Sequence, residues 1–316
     1  MIIVYCVVFI ALLVLAFVPG VRELNEREDA GELYINMDYS KDPHFFGDSF
    51  RRILTDAVEK SGVDQTISEM KLSRKEDVLI TGTYSYVVVN SEQHVLLCRG
   101  NLDIEGPNTR NKEAYVMGSA KMADGSAITA MAVDGNLKLG KDVNVVRWLD
   151  SRGEVSIGDN CDLGVSVAGN GKVLLGKDCK FMRLFGSPVS TRGFVSHMDL
   201  SRPVKKQQKY KHILGNFKIT RGIILDQDMK IEGDFVILTE ERVEIHGSVF
   251  VEGSVRIDGN VLITGNVFSQ QTVHLRGVEV GEPGGIKSVI SKKEIVLFPD
   301  VVVHGYILTD GRGLTV

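Results

Sequence analysis

Residues 243–273 read VEIHGSVFVEGSVRIDGNVLITGNVFSQQTV, and this stretch decides the fold. Valine recurs at every sixth position, and a second, mostly apolar series lies two residues behind each valine. Glycines mark the bends between these short apolar pairs. Alternate inward residues on short strands separated by glycine bends are typical of a solenoid whose stacked coils share one core. The sequence therefore predicts an inward core ladder made of Val249, Val255, Val261, Val267 and Val273.

The same pattern extends upstream with a longer period. Glycine-led segments begin at intervals of 17 or 18 residues, at Gly82, Gly100, Gly118, Gly135, Gly153 and Gly171. Three six-residue faces make one 18-residue coil, so we expect an all-β fold, a triangular β-helix. Cys161 and Cys179 fall on inward positions of these coils, which favours buried free thiols over a disulfide or a zinc site.

These patterns divide the chain into five parts. Residues 1–20 are predicted to be a membrane anchor, and residues 21–78 a polar tether with a short helical cap. A first block of coils covers residues 79–186, a basic insertion loop residues 187–214, and a second block residues 215–316.

Residues 2–18 are seventeen uncharged and almost wholly apolar residues. As a helix they would span about 26 Å, which is near the lower limit for crossing a bilayer. No Lys or Arg precedes them, whereas Arg22 and Arg27 follow, so a single-pass cell-membrane protein with its body in the cytoplasm is expected. A secretory signal peptide is the alternative, although the segment lacks a basic leader and a small-residue cleavage site.

Residues 48–62 predict an amphipathic helix, and residues 64–75 a second helix or a loop. Because a solenoid end exposes an edge strand, we expect the first helix to cap that end. A helix that binds a partner or lies on a membrane is the alternative.

The regular pattern fails over residues 187–212, which are rich in lysine and arginine. Insertions in solenoids emerge as loops and often bind partners. The residues proposed to contact anionic lipid or a partner protein are Arg202, Lys205, Lys206, Lys209 and Lys211. A solvated excursion is the alternative. The formal net charge of −4 and the lack of interleaved aromatic residues argue against nucleic acid as a partner.

Hexapeptide-like repeats also occur in a class of acyltransferases, whose chemistry needs an oriented histidine base. The histidines within or beside the repeats are His94, His197, His212, His246, His274 and His304. None has a recurring carboxylate partner in the sequence, and His246 and His274 take outward positions, so we expect surface histidines. No metal-ligand spacing, phosphate loop or nucleotide motif is present in the sequence, so we expect no enzyme, metal, cofactor or small-molecule substrate. A hexapeptide-type acyltransferase is the alternative.

The stretch IHGSVFVEGSVRIDGNVLITGNVFSQQTVHLRGVEV (245–280) resembles the bactofilins, the polymer-forming cytoskeletal proteins of bacteria. The resemblance rests on glycine-punctuated Val/Ile pairs and covers residues 233–308. It implies a right-handed triangular helix that polymerises end to end near the membrane without nucleotide. It also implies a scaffold for proteins that shape the cell envelope. The N-terminal apolar segment, the helix and six additional coils depart from the usual family pattern.

The last coil ends at GRGLTV (311–316) with no capping helix in the sequence. An uncapped coil presents unpaired backbone N–H and C=O groups, which are a template for another chain. We therefore expect self-association through Val301, Val303, Tyr306 and Leu308. The sequence as a whole predicts a membrane-anchored, self-associating scaffold. The alternatives are the acyltransferase and a binding module that acts through the basic insertion.

Overall fold

The computed structural model describes residues 42–61, 68–73, 76–82, 86–88, 94–107, 109–110, 112–191 and 210–316. These residues are mostly β-strand and form a β-solenoid of about 11 turns, as the repeat pattern predicts. The predicted anchor at residues 1–20 lies outside this part of the chain. No helix in the described ranges is both long and apolar enough to cross a bilayer.

The first block contains one helix and fifteen strands. The helix, α1, spans Phe45–Ser61. The strands are β1 (Ser68–Lys71), β2 (Asp77–Thr81), β3 (Tyr86–Val88), β4 (Val95–Cys98), β5 (Leu102–Ile104), β6 (Thr109–Arg110), β7 (Ala114–Val116), β8 (Ala120–Met122), β9 (Ala127–Val133), β10 (Leu137–Leu139), β11 (Asn144–Ser151), β12 (Val155–Ser156), β13 (Ser166–Gly169), β14 (Val173–Leu175) and β15 (Lys180–Thr191).

The second block contains twelve strands. They are β16 (Tyr210–Ile213), β17 (Phe217–Ile219), β18 (Ile223–Leu225), β19 (Asp228–Ile231), β20 (Phe235–Ile245), β21 (Val249–Val251), β22 (Val255–Ile263), β23 (Val267–Ser269), β24 (Thr272–Val280), β25 (Lys287–Ser291), β26 (Glu294–Leu297) and β27 (Val301–Thr315).

Strands from successive coils pair in parallel and form three ladders in each block. In the first block, Leu137 pairs with Val155 and Val155 with Val173, which sets one coil at 18 residues. The ladder that contains β2, β4, β7, β9, β11, β13 and β15 is called here the helix-side ladder. Glycine at the bends permits this stacking, since a Cβ on Gly158 would collide with the backbone of Gly140 in the preceding coil.

The inward side chains of all coils form one hydrophobic core. All five valines of the predicted core ladder belong to it, and each is at most 2% exposed. Cys161 and Cys179 are buried free thiols in the same core. Because each valine contacts the coils above and below, the core is continuous along each block.

The helix is present but does not cap a solenoid end, so that expectation is wrong. Helix α1 packs along the outer side of the helix-side ladder, where Leu54 is buried against Leu97, Tyr115 and Ala132. Residues 68–71, expected to be helix or loop, instead form β1, which pairs antiparallel with β2. The apolar outer face of this ladder offers the helix more surface to bury than a coil end does.

The two blocks dock through their last coils. Strand β15 pairs antiparallel with β27, from Lys180 opposite Leu314 to Ser190 opposite Val302. All other pairings between described strands of the two coil stacks are parallel, except that of β1 with β2. The second block therefore stacks toward the first from the opposite direction, and its first coil, β16 to β18, is the one farthest from the junction.

Candidate functional site

The junction between the blocks is sealed by backbone pairing and by side chains. Tyr306 lies opposite Phe185, with ring centroids 4.6 Å apart. The hydroxyl of Thr315 donates to the carbonyl of Gly176 at 2.7 Å and accepts from the backbone N–H of Cys179 at 2.8 Å. Both blocks thus contribute hydrogen bonds to a continuous sheet at this point.

The expectation of an open C-terminal coil is wrong. Strand β27 pairs with β24, β25 and β26 on one edge and with β15 on the other. Val301 and Val303 are buried inward residues, while Tyr306 and Leu308 are partly exposed on the outer side of the junction. The four residues proposed for self-association therefore lie in a contact within the chain, because the second block runs back onto the first.

The first coil of the second block has the free edge instead. Among the residues that the structure describes, β16 pairs only with β19, and β17 and β18 pair only with β20. Phe217 stacks on the fully buried Phe235 at 5.9 Å, but is itself only partly buried. Ile223 and Leu225 are also partly buried, and Leu214 is 76% exposed. We call residues 210–225 the open coil.

Of the five basic residues proposed for binding, the structure places one. Lys211 lies on β16 in the open coil, exposed, with its Nζ 5.5 Å from the centroid of the Phe217 ring. Arg202, Lys205, Lys206 and Lys209 lie outside the described residues.

Two histidines expected at the surface are buried beside carboxylates. The ring of His246 lies between Asp226 and Glu244, with Nδ1 2.8 Å and Nε2 3.1 Å from their carboxylate oxygens. His304 Nε2 is 2.9 Å from Glu279 Oε1. The expectation of exposure is therefore wrong for both. The signal for the first pair was in the sequence, because Glu244 and His246 are two apart on one strand and so share a face.

The acid–histidine pairs do not form a metal centre in the described part of the chain, where no group of three His, Cys, Asp or Glu could hold an ion. His246 is closed to solvent, and its partner Glu244 also accepts a hydrogen bond from Arg242 Nε at 2.7 Å. A base needs access to its substrate, so this geometry suits a structural ion network better than proton transfer.

Helix α1 is fastened to the solenoid by a buried ionic cluster that the sequence did not reveal. Arg51, expected on the polar face, is 4% exposed and donates to Asp134 at 2.8 Å and to the Val133 carbonyl at 2.8 Å. It also donates to Asp150, which pairs with His44 Nδ1 at 2.6 Å. The acids come from β11 and from the bend after β9, so only the coil stacking brings them to the arginine.

Burial and neighbouring charge act against each other in this cluster. Burial opposes the charged form of Arg51, but the two carboxylates of Asp150 and Asp134 outweigh it and raise the pKa. Burial likewise opposes the charge on His44, and the Asp150 hydrogen bond and charge, with Asp42 and Asp48, raise its pKa. Burial, followed by the hydrogen bond to Asp134, raises the pKa of Tyr115 to about 12.

A groove of about 490 Å³ lies beside the helix. Its apolar lining comes from both the helix and the solenoid, and comprises Phe46, Phe50, Ile53, Leu72, Val95, Trp148 and Val165. Glu76, Glu113 and Arg147 complete the rim. We call this feature the Phe46 groove. Comparison of the chain with protein-family models, with curated proteins and with solved structures finds no match.

Proposed function

We propose that this chain is a self-associating structural scaffold of the bactofilin type, anchored in a cell membrane through residues 1–20. The observation that carries the proposal is the open coil, which ends the second block with strand edges that have one neighbour each in the described structure. Edge strands of this kind add strands from another molecule through backbone hydrogen bonds.

The chain itself supplies a precedent for the contact. Strands β15 and β27 show that two coils of this chain pair edge to edge in an antiparallel arrangement. A second copy can meet the open coil in the same manner, with the same surface on both partners, which is the geometry of a two-fold interface. Partly exposed Phe217, Ile223 and Leu225 would then lose the remainder of their contact with water.

The scaffold proposal includes the finer features that the sequence favours. These are a triangular, right-handed helix, a soluble part in the cytoplasm, and partners among the proteins that shape the cell envelope. The apolar segment at residues 2–18 supports the membrane anchor. One open coil joins two copies; growth into a filament requires a second contact at the far end of the first block.

The test is a proline in the open edge. The N–H of Phe217 donates to Asp234 in the neighbouring coil at 2.8 Å, so the N–H of Lys218 points to the open side. Lys218→Pro removes that donor where an edge strand tolerates proline. Lys218→Ala is the matched control, because it loses the same charge and keeps the donor.

The measurement is sedimentation velocity and electron microscopy of the full chain in a mild detergent. We expect concentration-dependent dimers or longer rods for the wild type and for Lys218→Ala, and monomers for Lys218→Pro. Wild-type particles that stay monomeric at every concentration would refute the proposal. Binding of an acyl-coenzyme A by the same preparation would favour the acyltransferase instead.

A further inference from the structure

The Phe46 groove leaves large apolar side chains in water on one side of the molecule. Phe46 is 48% exposed, Ile53 is 52% exposed and Val165 is 42% exposed. Phe45, 59% exposed, contacts Phe46 with ring centroids 5.6 Å apart. Trp148 lies inside the groove against Phe50, at 5.7 Å between centroids. Such a contiguous apolar surface on a folded protein marks an interaction site.

The charges at the rim of the groove are already paired. Lys112 Nζ lies 3.5 Å from Glu76 Oε1, and Arg147 Nη1 lies 3.3 Å from Glu113 Oε1. Because the rim carries balanced ion pairs, it offers no net charge to an ionic ligand. The chemistry of the groove therefore suits an apolar occupant.

The position of the groove along the chain indicates which occupant is near. The described chain begins at Asp42, four residues before Phe46, and the 23 residues 19–41 separate it from the apolar segment at residues 2–18. A flexible tether of that length spans about 25–30 Å. If residues 2–18 are anchored, a bilayer surface is held close to the groove at high effective concentration, so even a weak apolar contact is occupied.

We propose that the Phe46 groove docks on the bilayer surface, with Phe45, Phe46 and Ile53 inserted at the boundary between headgroups and acyl chains. This inference rests on the membrane anchoring in the proposed function. Aromatic and aliphatic side chains on one helix face are the groups that partition to this depth. The paired rim charges make the contact independent of lipid charge.

The docked orientation has a consequence for assembly. Helix α1 runs along the helix-side ladder, from Gly47 beside Asp150 to Leu54 against Leu97 and Ile80. A groove on that side places the solenoid with its flank on the membrane, so the coil ends point along the bilayer. The open coil is then free to meet a second copy in the plane of the membrane.

Trp148 is the single tryptophan of the chain and lies in the groove, so its fluorescence reports the contact. The full chain is reconstituted into phosphatidylcholine vesicles with either plain or dibrominated acyl chains, and bromine quenches only a tryptophan near the acyl region. We expect the emission to fall on the order of twofold in the brominated vesicles, as a side chain held 5–10 Å into the interface requires. Adding an anionic lipid should leave the quenching unchanged.

The variant Phe46→Asp/Ile53→Asp should abolish the quenching without unfolding the chain, since both side chains are about half exposed. Leu214→Asp is the control, because Leu214 is 76% exposed on the open coil, away from the groove. Quenching that persists in the double variant, or is absent in the wild type, overturns the inference. Flotation of the vesicles tests the anchor separately: flotation without quenching overturns the groove contact alone, and loss of both overturns the anchor as well.

Discussion

The two ends of the second block are built from the same kind of apolar strand but meet different neighbours. At the closed end, β27 is paired on both edges, and Val303 is fully buried. At the open coil, β17 and β18 are each paired with β20 alone among the described strands, and Ile223 is partly exposed. The difference does not come from the strands themselves. It comes from the first block, whose last coil covers one end of the second block and leaves the other.

This comparison changes where self-association is expected. A strand edge attracts another chain only while its backbone groups lack partners. The sequence pattern favoured the C-terminal coil because no helix follows it, but an antiparallel coil of the same chain already occupies that edge. The same apolar residues therefore hold the molecule together at one end and are available for a second copy at the other.

The largest expected difference between the ends follows from a charge placed in each. Val303→Asp buries a carboxylate in the closed core, and we expect a loss of about 4 kcal/mol or more in the free energy of unfolding. Ile223→Asp in the open coil should cost only about 1–2 kcal/mol, since the carboxylate stays in contact with water. Urea unfolding followed by circular dichroism measures both. Equal losses would show that the open coil is covered.

A smaller effect is expected from a single methyl group at the closed end. An alanine Cβ at Gly313 would meet the ring of Phe181 across the junction, and such overpacking costs about 1–3 kcal/mol. Gly82→Ala is the control, because nothing lies within 4 Å of the added atom. The thermal midpoint of each variant is the measurement. An unchanged midpoint for Gly313→Ala would mean that the two blocks are not docked at this point.

The smallest effect is a pH dependence at the closed end. The ring of His44 packs edge-on against Phe185, 5.6 Å between centroids, and Asp150, Asp42 and Asp48 raise its pKa against the opposing effect of burial. A histidine whose folded pKa is raised contributes stability that is complete below its unfolded pKa of about 6.5 and is lost as pH rises through the folded value.

The check on that dependence is a denaturant series from about pH 6 to pH 9, a range that brackets the histidine titration. The wild type should lose stability toward the alkaline end relative to His44→Asn, which has no such proton. Parallel profiles for the two proteins would rule out the contribution of His44. The open coil gives the internal contrast, because His212, paired with Glu232 at 2.9 Å, is exposed there and contributes little.

The fold was largely predictable because its signals are local. Val249, Val255 and their successors repeat every sixth residue, and alternation along a strand is enough to say which side chains face inward. The 18-residue interval then fixes which strands stack. The site was much less predictable. Arg51 reads as one more charge on an amphipathic helix until the coils bring Asp134 and Asp150 to it. Likewise, nothing in residues 301–308 shows that β15 will lie beside them.

The sequence by itself determined the inward ladder, the coil length and the mostly β character, because each follows from spacing between near neighbours along the chain. Only the tertiary structure decided that the helix lies along a flank, that His246 is buried between carboxylates, and that the two blocks meet at their last coils. These features depend on the direction in which the second block stacks, and no local period records that direction. The closed and open ends of the second block are the direct result.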